Sequence, residues 1–230
     1  MSDRPGGALA KRPLQFFYVV DTSGSMMGRK IETVNAAIRE SILPMQEVAN
    51  DNPNADVLVR VMSFSDAVRW HGSEPVSIHN FRWDELDANG GATEMGAAMQ
   101  ELAETLKTEN MPLRGLPPVV VLITDGQPTD DWEAGLKRLL NEPWGRKAVR
   151  IGVAIGDDVE LEVIERFIGN PEVQPLRADN ATDLAKMIKW ASTVPLKVAS
   201  RPQTSGSSDG VVPVPAGPTP TAAASANDVF

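Results

Sequence analysis

The sequence predicts an α/β fold: a doubly wound, mostly parallel central sheet flanked by helices, with one antiparallel edge strand. Three observations predict it. First, near-continuous apolar runs rich in β-branched and aromatic residues recur at Leu14–Val20, Val119–Thr124 and Val149–Ile155. Strands of a parallel sheet look like this because helices cover both of their faces. Second, the segments between them carry apolar residues every three or four positions, the period of a helix with one buried face. Third, the connections are short, which suits strands and helices alternating around a single sheet.

Taken in order, residues 1–12 hold Gly, Pro and basic residues without periodicity and are read as a flexible N-terminal arm, with the domain over 13–198. Leu14–Val20 is the central strand. Ile31, Val34, Ile38, Ile42 and Met45 mark the first helix. Pro44 is expected to kink or end it, because proline lacks the N–H and crowds the preceding turn. Residues 50–54 have turn composition. Val57, Val59, Val61 and Phe64 bound a second strand, followed by two shorter ones at Ala67–Trp70 and Pro75–Ile78, one of them the antiparallel edge partner. Asn89-Gly90-Gly91-Ala92-Thr93 is a glycine-rich loop. Met95, Ala98, Met99, Leu102 and Leu106 form the next helical face, with Thr93 placed as its N-cap. After the apolar strand Val119–Thr124 come a helix over 131–141, the strand Val149–Ile155, a helix over 159–168, a last strand at Val173–Leu176 and a closing helix through Leu184, Met187, Ile188 and Ala191. Residues 199–230 are rich in Pro, Ser and Ala with almost no large apolar side chain. Burial cannot offset the entropy of ordering such a stretch, so a disordered tail is expected.

Composition narrows the chemistry. With 230 residues, 42% of them hydrophobic, the chain can bury one full core. It has no cysteine, which excludes disulfides, zinc–thiolate sites and thiol nucleophiles. A formal net charge of −9 without a basic stripe argues against nucleic acid as a partner. The apolar run near the N-terminus falls short of the roughly 20 residues a membrane helix needs. No small-residue cleavage site follows it, so a cytoplasmic protein without membrane contact is expected.

The chemistry-bearing stretch is Asp21-Thr22-Ser23-Gly24-Ser25, at the end of the first strand. It places one carboxylate and two alcohols at alternate positions of a tight turn, and Gly24 is expected to let that turn curl with φ > 0. Ligands of open α/β sheets bind outside the carboxyl ends of the strands. Asp125 ends another strand, and Thr93 opens a helix after a glycine loop. If Leu14–Val20 and Val119–Thr124 are neighbours, Asp21, Ser23, Ser25, Thr93 and Asp125 surround one point. An all-oxygen donor set suits a small hard divalent cation such as Mg²⁺, which keeps several waters. Two carboxylates leave such an ion about neutral, still able to accept an outside carboxylate.

These residues resemble the metal-ion-dependent adhesion site of von Willebrand factor A domains, a Rossmann-like fold. In that family a D-x-S-x-S turn, a threonine and a distal aspartate bind Mg²⁺ or Mn²⁺, and an acidic residue of a protein partner completes the coordination. The five matching positions here are Asp21, Ser23, Ser25, Thr93 and Asp125, in the family's order. The chain is most similar to TerY-like bacterial proteins through residues 21–26, Gly90-Gly91-Ala92-Thr93, residues 123–132 and Lys189-Trp190. That resemblance implies a module of tellurite resistance and stress response, with kinase or phosphatase partners. No base or nucleophile for turnover is evident, so no catalysis is expected.

Competing readings exist for each feature. Asp21, Ser23 and Ser25 can serve only to stabilise their turn, and Thr93 only to cap a helix. Asp130 and Asp131 suit the first turn of a helix. His71 and His79 read as solvated. The five tryptophans read as packing residues, with Trp83 and Trp144 as possible interface anchors. Asp21 together with Ile155-Gly156-Asp157-Asp158 is similar to phosphatases of haloacid-dehalogenase type. The acid those enzymes carry two residues after the nucleophile is here Ser23, which cannot protonate a leaving group near neutral pH. A purely structural domain is the third class.

Overall fold

Strand β1 (Arg12–Asp21) occupies the middle of a six-stranded sheet and is buried over eight of its ten residues, Leu14 through Asp21. The structure, a computed structural model, describes residues 11–52, 54–199 and 214–220. The other strands are β2 (Ala55–Phe64), β3 (Val68–Ser77), β4 (Val119–Thr124), β5 (Val149–Ile155) and β6 (Leu176–Ala178), in spatial order β3-β2-β1-β4-β5-β6. Every pairing is parallel except β2 with β3, the antiparallel edge. The helices are α1 (Arg29–Asn50), α2 (Met95–Thr105), α3 (Trp132–Asn141), α4 (Pro143–Lys147), α5 (Leu161–Ile168) and α6 (Ala181–Ala199). Two packed pairs, α1 with α6 and α2 with α3, flank the sheet. The predicted architecture is therefore the observed one. β1 and β4 are direct neighbours, with Val20 opposite Ile123, so Asp21 and Asp125 leave the sheet at the same rim.

Several local expectations change. Helix α1 continues through Pro44 to Asn50. Met45, Val48 and Ala49 beyond the proline are buried, and that packing outweighs the lost backbone bond. The two short strands after β2 form one strand, β3, crossing Gly72 at φ 95° with a bulge opposite Val59 and Val61. β6 starts later than the β-branched run suggests, because its register is set by pairing Leu176 with Val153 and Ala178 with Ile155. Helix α4, opened by Pro143, has no apolar period in the sequence to announce it. Residues 1–10 of the expected arm lie outside the described residues, while Arg12 already belongs to β1. The expected tail also lies outside them, save for Ala199, which closes α6, and residues 214–220. There Val214 packs on the core, and Lys186 Nζ donates to the Thr219 carbonyl at 3.2 Å.

Arg150 locks the far end of the sheet. Its Nε donates to the Phe167 carbonyl at 2.6 Å, Nη1 to Gly145 at 2.7 Å and Nη2 to Ile168 at 3.1 Å. These carbonyls lie at the C-terminal ends of α5 and α4, where the helix dipole favours a cation. Burial pulls the guanidinium down to about 10, which leaves it charged at neutral pH. Arg150→Met orphans the carbonyls. It is expected to cost about 2–3 kcal/mol, lowering Tm by roughly 6–10 °C in a calorimetric scan.

Candidate metal centre

The first loop leaves β1 at Asp21, whose carboxylate is fully buried. Its Oδ1 accepts the Ser23 N–H at 2.8 Å and its Oδ2 accepts the Thr124 hydroxyl at 2.6 Å. Burial raises the Asp21 carboxyl above its ordinary value of 3.8; hydrogen bonds from Thr124 and Ser23 oppose this, and the Asp125 charge adds to it. Ser23 is buried and Ser25 is exposed at the mouth, their hydroxyls 3.0 Å apart. Gly24 does not adopt positive φ, contrary to expectation. That conformation falls at Gly28, φ 73°, where the chain turns into α1. Gly24 instead keeps space clear, since a Cβ there would lie 3.1 Å from the Gly90 carbonyl. The loop is tied to its neighbour by Asn89 and Gly90 N–H groups donating to the Thr22 carbonyl, both at 3.2 Å.

The stretch after β4 organises everything else at the rim. Thr124 holds Asp21. Asp125, 1% exposed, accepts the Ser25 hydroxyl on Oδ1 at 2.8 Å and the Lys30 ammonium on Oδ2 at 2.5 Å. Thr129 clamps Thr93 twice: its Oγ1 accepts the Thr93 N–H at 3.0 Å, and its own N–H donates to the Thr93 carbonyl at 3.0 Å. Asp130 accepts the N–H groups of Gly96 and Ala97, both at 2.8 Å. Asp131 is the N-cap of α3, accepting from Ala134.

All five predicted residues therefore meet. A Cβ built on Gly126 would stand 3.5 Å from Thr93 Oγ1, 3.8 Å from Asp21 Oδ2 and 3.8 Å from Ser25 Oγ, so one small volume faces three of the five side chains. Asp125 joins through Ser25, and Ser23 through the same hydroxyl. The set is two carboxylates and three alcohols, with no nitrogen or sulfur. Its chemistry fits a hard divalent cation. Among the described residues no three His, Cys, Asp or Glu side chains cluster to offer another such place.

Other expectations shift. Thr93 does not cap α2, because the N-cap position is Glu94 and the capping carboxylate comes from Asp130 on another loop. The Thr93 hydroxyl is thereby left facing the rim. Trp83 is half-buried against the core, its indole N–H donating to Asn35 at 3.0 Å and its ring edge-on to Tyr18; Trp144 is half-buried beneath Lys147. His71 is exposed, as expected, although its Nε2 lies 2.8 Å from the Ser63 hydroxyl and partial desolvation lowers its pKa. Asp157, at the end of β5, pairs with Arg177 at 3.1 Å toward the β6 edge. Since β4 separates β5 from β1, Asp157 does not join Asp21 in a phosphatase-like pair.

Sequence reasoning missed Lys30 and Thr124. A lysine in the first turn of the helix that follows the serine loop was a signal, since the dipole there disfavours a cation. Thr124 gave none, being a strand residue whose hydroxyl matters only once β1 and β4 are adjacent.

Comparison with known proteins agrees with this geometry. Human inter-alpha-trypsin inhibitor heavy chain H6 is 28% identical over 187 residues, covering 75% of this chain and 14% of that protein. The chain thus spans about a seventh of that relative's length. Among solved structures, the pilus adhesin SpaC from Lactobacillus rhamnosus GG superposes with a TM-score of 0.64 at 15% identity, covering 82% of this chain and 31% of that one. Proximal thread matrix protein 1 from the mussel byssus, solved with a zinc-occupied MIDAS motif, gives 0.60 at 15% identity, covering 81% and 48%. The sequence model of the von Willebrand factor type A domain matches residues 17–190, three-quarters of the chain and every loop of the rim. By that match and by its fold, the chain belongs to the von Willebrand factor type A domain family.

Proposed function

We propose that this domain is a metal-dependent protein-binding module. Asp21, Ser23, Ser25, Thr93 and Asp125 would hold Mg²⁺ or Mn²⁺, the three hydroxyls directly and the carboxylates directly or through water. The bound ion supplies a Lewis-acidic position to which a partner protein presents an Asp or Glu carboxylate. The carrying observation is the convergence of Thr93, Asp21 and Ser25 oxygens around the space over Gly126. A donor set with only two carboxylates favours this reading over a buffering or purely structural ion, because the charge it contributes only balances that of a divalent cation. In this reading the protein's role is to bind and orient a partner rather than to turn a substrate over. The finer reading, a cytoplasmic TerY-like module of tellurite resistance and stress response with a kinase or phosphatase partner, rests on the motif residues of the sequence alone.

The test is a melting titration against Mg²⁺ and Mn²⁺, starting from chelated protein. The wild type is expected to gain several degrees at millimolar cation, since ligand binding to the native state stabilises it by mass action. Gly126→Ala is the diagnostic partner. Its new methyl makes only ordinary contacts, so the chelated variant is expected to melt within about 1–2 °C of wild type. The methyl stands over the three oxygens, so its cation response should fall at least about tenfold in apparent affinity. A wild type indifferent to both cations removes the metal from this function.

A further inference from the structure

We infer that Lys30 sets the charge of the rim, weakening the hold on the cation and strengthening the hold on the partner's carboxylate. The inference deepens the proposed function and rests on it. Lys30 is the second residue of α1, which begins at Arg29 after the N-cap Gly28. A cation there opposes the helix dipole, whose N-terminal end favours negative charge. What offsets this is Asp125, whose Oδ2 lies 2.5 Å from the ammonium. The Asp125 side chain is 0% exposed and the lysine side chain only 20%, so water screens the pair weakly.

The consequence follows from charge. Asp21 and Asp125 together bring −2 to the site, and Lys30 in contact with Asp125 reduces this to −1. A divalent cation added to the set leaves a net +1 rather than zero. The ion is therefore bound less tightly than two free carboxylates would bind it, because the ammonium repels it and engages one of its ligands. An incoming carboxylate, by contrast, meets a positive rim instead of a neutral one. One side chain thus moves two affinities in opposite directions. A lysine that merely pins α1 to the loop after β4 would move neither affinity in this paired way.

The experiment compares wild type, Lys30→Gln and Lys30→Arg. Mn²⁺ affinity is measured by calorimetry. Capture of a carboxylate by the Mn²⁺-loaded protein is measured by loss of water-proton relaxation enhancement, with acetate as the probe. Lys30→Gln is expected to bind Mn²⁺ about tenfold more tightly and acetate several-fold more weakly, the scale of one unit charge in a partly buried site. Lys30→Arg, which keeps the charge, should stay near wild type in both. Melting of the chelated variants reports whether they fold; if Lys30→Gln does not, Lys30→Met is put through the same two measurements. Unchanged affinities in a folded neutral variant overturn the inference, as do two affinities that fall together. If the wild type binds no Mn²⁺ at all, it is the proposed function that fails.

Discussion

Gly135→Ala is expected to lower the melting temperature of this domain by about 10 °C, corresponding to roughly 3–4 kcal/mol for a domain of this size. The residue lies in α3 where that helix crosses α2. A Cβ at position 135 would be 2.4 Å from the Gly96 carbonyl oxygen and 2.7 Å from the Gly96 Cα. The crossing is reciprocal, since a Cβ on Gly96 would meet the Asp131 carbonyl oxygen at 2.6 Å. Backbone atoms cannot rotate out of the way as a flexible side chain can, so the helices must separate. Their separation also reaches the rim. The first turn of α2 is held by Asp130 from the chain entering α3, and Thr93 stands just before that turn. The variant is therefore expected to lose cation affinity even at temperatures where it remains folded. Differential scanning calorimetry with and without Mn²⁺ measures both effects. A variant that melts with wild type would show that the two helices can part without cost.

Asp21→Asn is expected to reverse its rank against wild type when the cation is added. In chelator at pH 7 the variant should melt about 3–6 °C above wild type, equivalent to roughly 1–2 kcal/mol. Asparagine can still accept the Ser23 N–H and can donate to the Thr124 oxygen, and it removes a buried charge beside Asp125. The sign follows from the raised carboxyl of Asp21. A folded-state pKa above the unfolded one gives stability that is complete below about 3.8 and is lost as pH rises through the folded value. Chelated wild type should therefore lose stability relative to the variant as pH climbs from about 4, and the two should converge in acid. With millimolar Mn²⁺ the wild type should gain and the variant should not, because the charged ligand is gone. A wild type that outlasts the variant in chelator at every pH would show that the carboxylate is well compensated without a cation.

The two predictions draw on different layers of the chain. Asp21 could be named from its place at the end of an apolar run, followed by Ser23 and Ser25 at alternate positions. The close crossing of Gly96 and Gly135 could not, because a glycine in an amphipathic segment reads only as a weak helix former. Pro44 misled for a related reason: local backbone preference argued for a helix end, while the buried Met45, Val48 and Ala49 decided otherwise. Thr93 looked like a helix cap because the sequence holds no sign that Asp130, on a distant loop, reaches the same N–H groups.

By itself the sequence determined the alternation of strands and helices, and hence a parallel sheet with a polar rim. It also singled out the five oxygen-bearing side chains, Asp21, Ser23, Ser25, Thr93 and Asp125, that the proposed function assigns to a cation. Side-chain type and period carry that information locally, residue by residue. Tertiary structure alone decided that β1 lies beside β4, that Thr124 and Thr129 hold Asp21 and Thr93 in place, and that Lys30 sits against Asp125. These depend on strand order and on distances between loops about a hundred residues apart, which no local pattern encodes. Charge at the rim is the sum of groups brought together only by the fold, so it was settled there.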